Sequence, residues 1–293
     1  MSIVDEIKTS IKTGSTLTRL IYINLAVFVV VNLVEVFYFL LNKHASYQAF
    51  LLLFAVPADL GTLATRPWSL ITYMFLHKNF LHILFNLLWL YWFGRVFLEY
   101  LDPRKLVGVY LLGGLSGAIL YIATFNLFPV FSHQLGMSYA LGASAAIMAI
   151  VIATATYVPN YTMYLLFLGR VKIIYIAIIG FLITSVFDFS INTGGKIAHI
   201  GGAIFGYLYI VRYRQGKDMT RGINRLLEGF FSLFRSKPKI RVTHRSADLD
   251  MDYNQRKMDE QKEVDRILEK IAKSGYSSLS AKEKEILFRQ SKK

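Results

Sequence analysis

The chain has 293 residues, 54% of them hydrophobic, with no cysteine, a net charge of +14 and a mean hydropathy of +0.42. Apolar residues gathered into long runs at that level place it among polytopic membrane proteins rather than soluble ones. The absent thiols exclude disulfides, thiolate metal sites, cysteine nucleophiles and S-acylation, and the cations fall where membrane topology uses them, which disfavours nucleic-acid binding.

Residues 1–19 are polar and carry Lys8, Lys12 and Arg19 ahead of the first apolar run. That run, residues 20–41, is too long for the h-region of a signal peptide and no small-residue cleavage site follows it. It predicts an uncleaved membrane-spanning helix. Asn24, Asn32 and Glu35 within it fit interhelical hydrogen bonds or an interfacial position. Residues 42–79 hold many aromatics with Pro57, Pro67 and Trp68, and predict a structured loop partly sunk in the membrane interface. Five more apolar segments follow, at 81–98, 106–125, 144–158, 173–187 and 198–211. All six prolines lie outside the six segments, as expected of residues that lack a backbone donor.

Six helices put the amino terminus on the same side as the cations of residues 95–105 and 170–172 and the tail from Arg212. The other side holds fewer, namely Lys43, Arg66, Lys78 and Lys196. Both termini are therefore expected in the cytoplasm. The tail is strongly basic to Arg245, interrupted by Leu226, Leu227, Phe230, Phe231, Leu233 and Phe234, a pattern of an amphipathic interfacial helix beside anionic lipid or of a solvated basic linker. Residues 246–254 read as a flexible acidic linker. Residues 259–272 then show helical spacing (Val264, Ile267, Leu268, Ile271), Gly275 ends that helix, and Ser280 with Glu283 forms a capping box for a second short one. So small a hairpin buries little core, which points to a protein partner or the membrane domain. The expected organisation is all-α: a segment 1–19, a six-helix membrane domain 20–212, a basic juxtamembrane segment and linker 213–258, and a helical hairpin 259–293.

Alternating helix direction has a consequence for chemistry. The second, fourth and sixth segments start on the non-cytoplasmic side, and their first turns carry His82 with Asn86, Ser144, and His199. The run beginning at Ser144 spans only about 22 Å against roughly 30 Å of hydrocarbon. Its start should lie below the outer surface, where irregular backbone is tolerated if buried in protein or lining a wet cavity. Ser144 at a helix N-terminus favours developing negative charge, and Gly142 and Ala143 leave room for a carbonyl. His199 is the candidate general base; no carboxylate stands out as a third member, so the pair is a dyad. His82 and Asn86, four residues apart, face one way and could donate to an oxyanion, or could be a structural pair. His199 alone could equally be structural. Gly142, Gly202 and Gly206 allow close helix contact, the last two as a GxxxG. No HExxH and no ligand-spaced carboxylate supports a metal, and no cofactor is expected.

These residues resemble the motifs of the rhomboid intramembrane serine proteases, over about residues 15–212. Gly142-Ala143-Ser144-Ala145 is similar to the family's GxSG, His82 to Asn86 to its HxxxN, and Ala198-His199 through Gly206 to its AHxxGxxxG; Gly94 to Glu99 adds a further match. The resemblance implies Ser144 as nucleophile, His199 as base, and His82, Asn86 and the Ser144 backbone N–H as the oxyanion hole. It also implies substrates that are transmembrane segments of other proteins, cleaved near the outer face, and a bacterial cell membrane as the location. Ala145 departs from the pattern's last Gly, Trp68-Ser69 from its Trp-Arg, and Met148 from a position often aromatic. A non-proteolytic relative that binds transmembrane clients is the alternative; a transporter fits less well, since the polar residues cluster near one face rather than at the midplane.

Overall fold

The computed structural model describes residues 14–165, 169–187, 192–234 and 247–290. Lys8 and Lys12, part of the join before the sixth segment, and the cations at 235–245 lie outside them. Contacts divide the chain into two compact units, Met1–Phe234 and Arg235–Lys293.

In the first unit, α1 (Thr16–Leu40) starts where the Ser15 hydroxyl accepts the Thr18 N–H at 3.2 Å. Asn24, fully buried, donates back to the Leu20 carbonyl and accepts from Tyr110, the interhelical bond expected of a polar residue in a span. The long loop is ordered, as expected: α2 (His44–Leu52), β1 (Val56–Pro57), α3 (Leu60–Thr65), α4 (Ser69–Thr72) and a 3₁₀ turn at Tyr73–Phe75. Asp59 caps α3 through its bonds to Thr62, which hold its carboxyl below the usual range. The Trp68-Ser69 departure does not unfasten this loop. Arg66 and the Trp68 indole donate to the Leu52 and Leu53 carbonyls, and Thr72 to Phe54, closing the end of α2.

Five helices follow in the same unit: α5 (Phe80–Tyr100), α6 (Pro103–Leu127), α7 (Ser144–Tyr157), α8 (Ile173–Ser185) and α9 (Thr193–Arg214). Pro103 occupies the first turn of α6, where its missing N–H costs nothing. Three helices, α1, α5 and α6, are long and apolar enough to cross a membrane by length and composition. The fourteen residues of α7 reach only about 21 Å. From Ala145 to Val151 every one is buried. The helix is a central post, with α6 and α9 close against it. A Cβ on Gly202 would stand 2.1 Å from the Ala145 carbonyl oxygen, and one on Gly206 2.3 Å from that of Ala149. Gly113 and Gly117 of α6 meet the methyl groups of Ala149 and Ala145 in the same way. Lipid provides no hydrophobic drive for helix association, so this backbone-level packing is what holds the three together.

Two short strand pairs were not foreseen. β1 pairs with β2 (Tyr139–Ala140), and β3 (Thr162–Leu165) with β4 (Gly169–Lys172), both antiparallel. Two-residue strands leave no periodic signature in sequence. An amphipathic helix α10 (Arg221–Phe234) completes the unit, with Ile223 and Leu227 packed on the core.

The second unit contains α11 (Ala247–Ser274) and α12 (Ala281–Gln290). The expected linker at 246–254 is instead helical from Ala247, and no glycine or proline there interrupts it. The capping box forms as read: Ser280 N–H donates to Glu283 at 2.7 Å, and Glu283 N–H to the Ser280 hydroxyl at 3.3 Å. Those bonds, with the Lys270 ammonium, hold the Glu283 carboxyl down at about 2.

Candidate active site

β2 leads into the turn that carries the serine, and the long loop fixes that turn. Ala58 N–H donates to the Ser138 carbonyl at 3.0 Å, and Gly142 N–H to that of Tyr73 at 2.9 Å. Asn126 of α6 bonds the Ala58 carbonyl, and Tyr121 pairs with Ser138. Gly142 stands at φ +127°, a conformation side chains rarely adopt. A Cβ there would also lie 2.9 Å from His82 Cε1 and 3.6 Å from Ser144 Oγ. Its role is therefore this turn and the space beside His82, and not the helix contact expected of it; Gly202 and Gly206 keep the packing role.

Ser144 opens α7 after Ala143, with no side chain capping the first turn. His199 projects from the second turn of α9, its Nε2 2.7 Å from Ser144 Oγ. Its other nitrogen lies 3.1 Å from the Thr184 carbonyl of α8. A carbonyl only accepts, so Nδ1 carries the hydrogen and Nε2 of the neutral ring accepts from the serine hydroxyl. The third member that sequence could not supply is thus a main-chain oxygen.

His82 and Asn86 share one face of α5, and Asn86 Nδ2 donates to the His82 carbonyl at 2.9 Å. An amide has a second hydrogen, which this bond leaves for another acceptor. The His77 ring packs edge-on to His82 with centroids 5.1 Å apart. Ser144, His199, His82 and Asn86 line one cavity of about 420 Å³, with Met148 and Trp89 among its apolar walls. Among the described residues no group of three His, Asp or Glu converges to hold a metal ion.

Ala145 does not face this cavity. It is 1% exposed, its methyl against Gly117 and its carbonyl under Gly202. The departure from Gly is thus absorbed by the glycine of the neighbouring helix. Gly194 and Gly195 lie within the first turn of α9. There they admit the Tyr121 ring and the Asn192 amide respectively. Trp89 was missed as well: its indole lies over Gly180 of α8, where a Cβ would stand 2.1 Å away. An isolated Gly in an apolar run was the only available signal.

This helical membrane protein, with Ser144 and His199 meeting in a cavity among its glycine-packed helices, belongs to the rhomboid family. The Rhomboid domain pattern matches residues 64–216, and a family of unknown function (DUF6576) matches residues 247–293. RHOMBOID-like protein 12, mitochondrial, of Arabidopsis thaliana is 30% identical over 162 residues, covering 52% of this chain and 48% of that protein. Presenilin-associated rhomboid-like protein, mitochondrial, is 30% identical over 148 residues in Rattus norvegicus (46% of this chain, 35% of that protein). The Bos taurus form is 28% identical over 188 residues (60% and 45%). The chain thus spans less than half the length of these relatives.

Proposed function

We propose that the chain is an intramembrane serine endopeptidase that cuts transmembrane segments of other proteins near the non-cytoplasmic face. The observation that carries this reading is the 2.7 Å contact between Ser144 Oγ and a His199 ring whose tautomer the Thr184 carbonyl fixes, inside the membrane domain. In this reading α1, α5, α6, α7, α8 and α9 cross the membrane of a bacterial cell, with both termini cytoplasmic; the mitochondrial addresses belong to the relatives. The second unit serves a protein partner.

The chemistry follows from the geometry. Ser144 Oγ attacks the substrate carbonyl as its proton passes to His199 Nε2. Negative charge grows on the carbonyl oxygen, met by the Ser144 backbone N–H, His82 and the free hydrogen of Asn86. His199 returns the proton to the departing amine, and a water then takes the same path to hydrolyse the acyl-enzyme. A substrate helix reaches Ser144 laterally between α5 and α8, unwinding as it enters the cavity.

A serine-reactive phosphonate tests the reading with no knowledge of the substrate. Wild type is expected to be labelled at Ser144, and Ser144→Ala and His199→Ala to remain unlabelled while still inserting in the membrane. No labelling of wild type, or equal labelling of Ser144→Ala, would favour a client-binding protein instead.

A further inference from the structure

The peptidase reading leaves unused the end of the membrane domain where α6 begins and α10 docks. Thr220, fully buried, packs where α6 has Gly108; a Cβ there would meet the Thr220 Cβ at 2.5 Å. Arg104 in the first turn of α6 pairs with Glu228 of α10 at 2.9 Å. Both side chains are exposed, so the pair contributes little stability. Ile223 and Leu227 face the core. Leu226 (71% exposed) and Phe230 (57%) do not, and they sit one turn apart on a helix fastened to the end of a membrane-spanning segment.

A cavity of about 300 Å³ opens there between α6 and α10, with side chains of both signs around it. Its three carboxylates are already engaged. Asp102 accepts the Arg104 N–H, Asp218 accepts both the N–H and the hydroxyl of Thr220, and Glu228 holds Arg104. Of the four cations around it, Arg104 is paired with Glu228, and the other three form no ion pair among the described residues. Lys105 lies over the Tyr213 ring, while Arg221 and Arg225 are exposed, one turn apart, and make no side-chain hydrogen bond or ion pair among the described residues. Four cations against three carboxylates leave a local surplus of one positive charge, next to exposed apolar side chains. A phosphate bearing a hydrocarbon tail satisfies both at once, because guanidinium groups match phosphate oxygens bidentately.

We propose that α10 and the start of α6 form a binding site for an anionic phospholipid, with Arg221 and Arg225 on the headgroup phosphate and Leu226 and Phe230 along the acyl chain. Selectivity for the anionic headgroup comes from the unmatched charge, and retention of lipid over a free anion from the apolar pair.

The purified 293-residue chain in a neutral detergent, titrated with fluorescent phosphatidylglycerol or phosphatidylcholine, tests this. Saturable binding of phosphatidylglycerol is expected, with phosphatidylcholine at least about fivefold weaker, since each cation at an anionic surface is worth about that factor. Arg221→Gln with Arg225→Gln should abolish the preference; both side chains are exposed, with no hydrogen bond or ion pair among the described residues, and an unchanged unfolding midpoint reports that the fold is intact. Raising the salt should weaken binding in wild type. Equal binding of the two lipids, an unchanged double variant or salt-insensitive binding would overturn the proposal. Full displacement by inorganic phosphate would overturn it in favour of a plain anion site.

Discussion

The two flanks of α7 are built on different terms. On the α6 and α9 side, glycines bring backbone against backbone, and no side chain separates Gly202 from the Ala145 carbonyl or Gly206 from that of Ala149. On the other side, α8 buries a single stripe, Ile173, Ala177, Gly180 and Ser185, and leaves Ile178, Ile179, Leu182 and Ile183 exposed. It reaches α5 where the Trp89 indole covers Gly180. Backbone packing has no slack, whereas a side chain laid over a glycine can swing away. The serine and histidine therefore sit on the glycine-packed flank, and the proposed route to them runs along the flank that a side chain closes. Thr184 ties the two together: it belongs to α8, and its carbonyl orients the His199 ring.

The largest break in this contrast comes from filling the rigid flank. Gly202→Val would drive a branched side chain into the Ala145 carbonyl, with overpacking and backbone displacement costing about 3 kcal/mol or more. A sharp fall in unfolding midpoint and loss of phosphonate labelling are expected together. Asn86→Ala spares the glycine contacts and removes the proposed oxyanion donor. Substrate cleavage should drop roughly 10²-fold with the midpoint nearly unchanged.

The mobile flank is probed by restraint. The chain lacks cysteine, so Trp89→Cys with Gly180→Cys can be joined uniquely by a short bis-maleimide. The cross-linked protein should cleave a transmembrane substrate about tenfold more slowly yet label with a small phosphonate as before, because Thr184 still holds His199. Full cleavage in the cross-linked form would count against entry between α5 and α8.

The smallest effect belongs to the second unit. Glu283 has its carboxyl lowered from 4.5 to about 2 by the Ser280 bonds and Lys270. A depressed folded value means that the cap contributes above the unfolded pKa and is lost as pH falls through the folded one. The α12 cap should therefore persist at pH 4 and fray near pH 2, seen in the chemical shift of the Ser280 amide; Glu283→Gln should remove that pH dependence with little change at neutral pH.

Much of the site was legible in the sequence: six alternating helices were expected to bring His82, Asn86, Ser144 and His199 together, and the four line one cavity. Apolar runs likewise marked each long helix of the first unit to within about five residues, and the GxxxG at Gly202 lies where α9 meets α7. What was hidden is mostly main chain. The carbonyls of Thr184, Tyr73 and Ser138 orient the histidine and fix the serine turn, and no residue type announces an acceptor that every residue carries. Gly142 was assigned to packing because a glycine's φ cannot be read from its letter. Ala145 was read as a change beside the nucleophile, but its methyl turns away from the cavity, which only the facing Gly117 makes clear.

The central claim is that Ser144 and His199 together cut peptide bonds within a membrane. Wild type, Ser144→Ala and His199→Ala, each reconstituted in vesicles with a labelled single-span substrate, test it most directly. The account predicts cleavage by wild type alone, at a position near the non-cytoplasmic end of the substrate helix; cleavage that survives Ser144→Ala would contradict it.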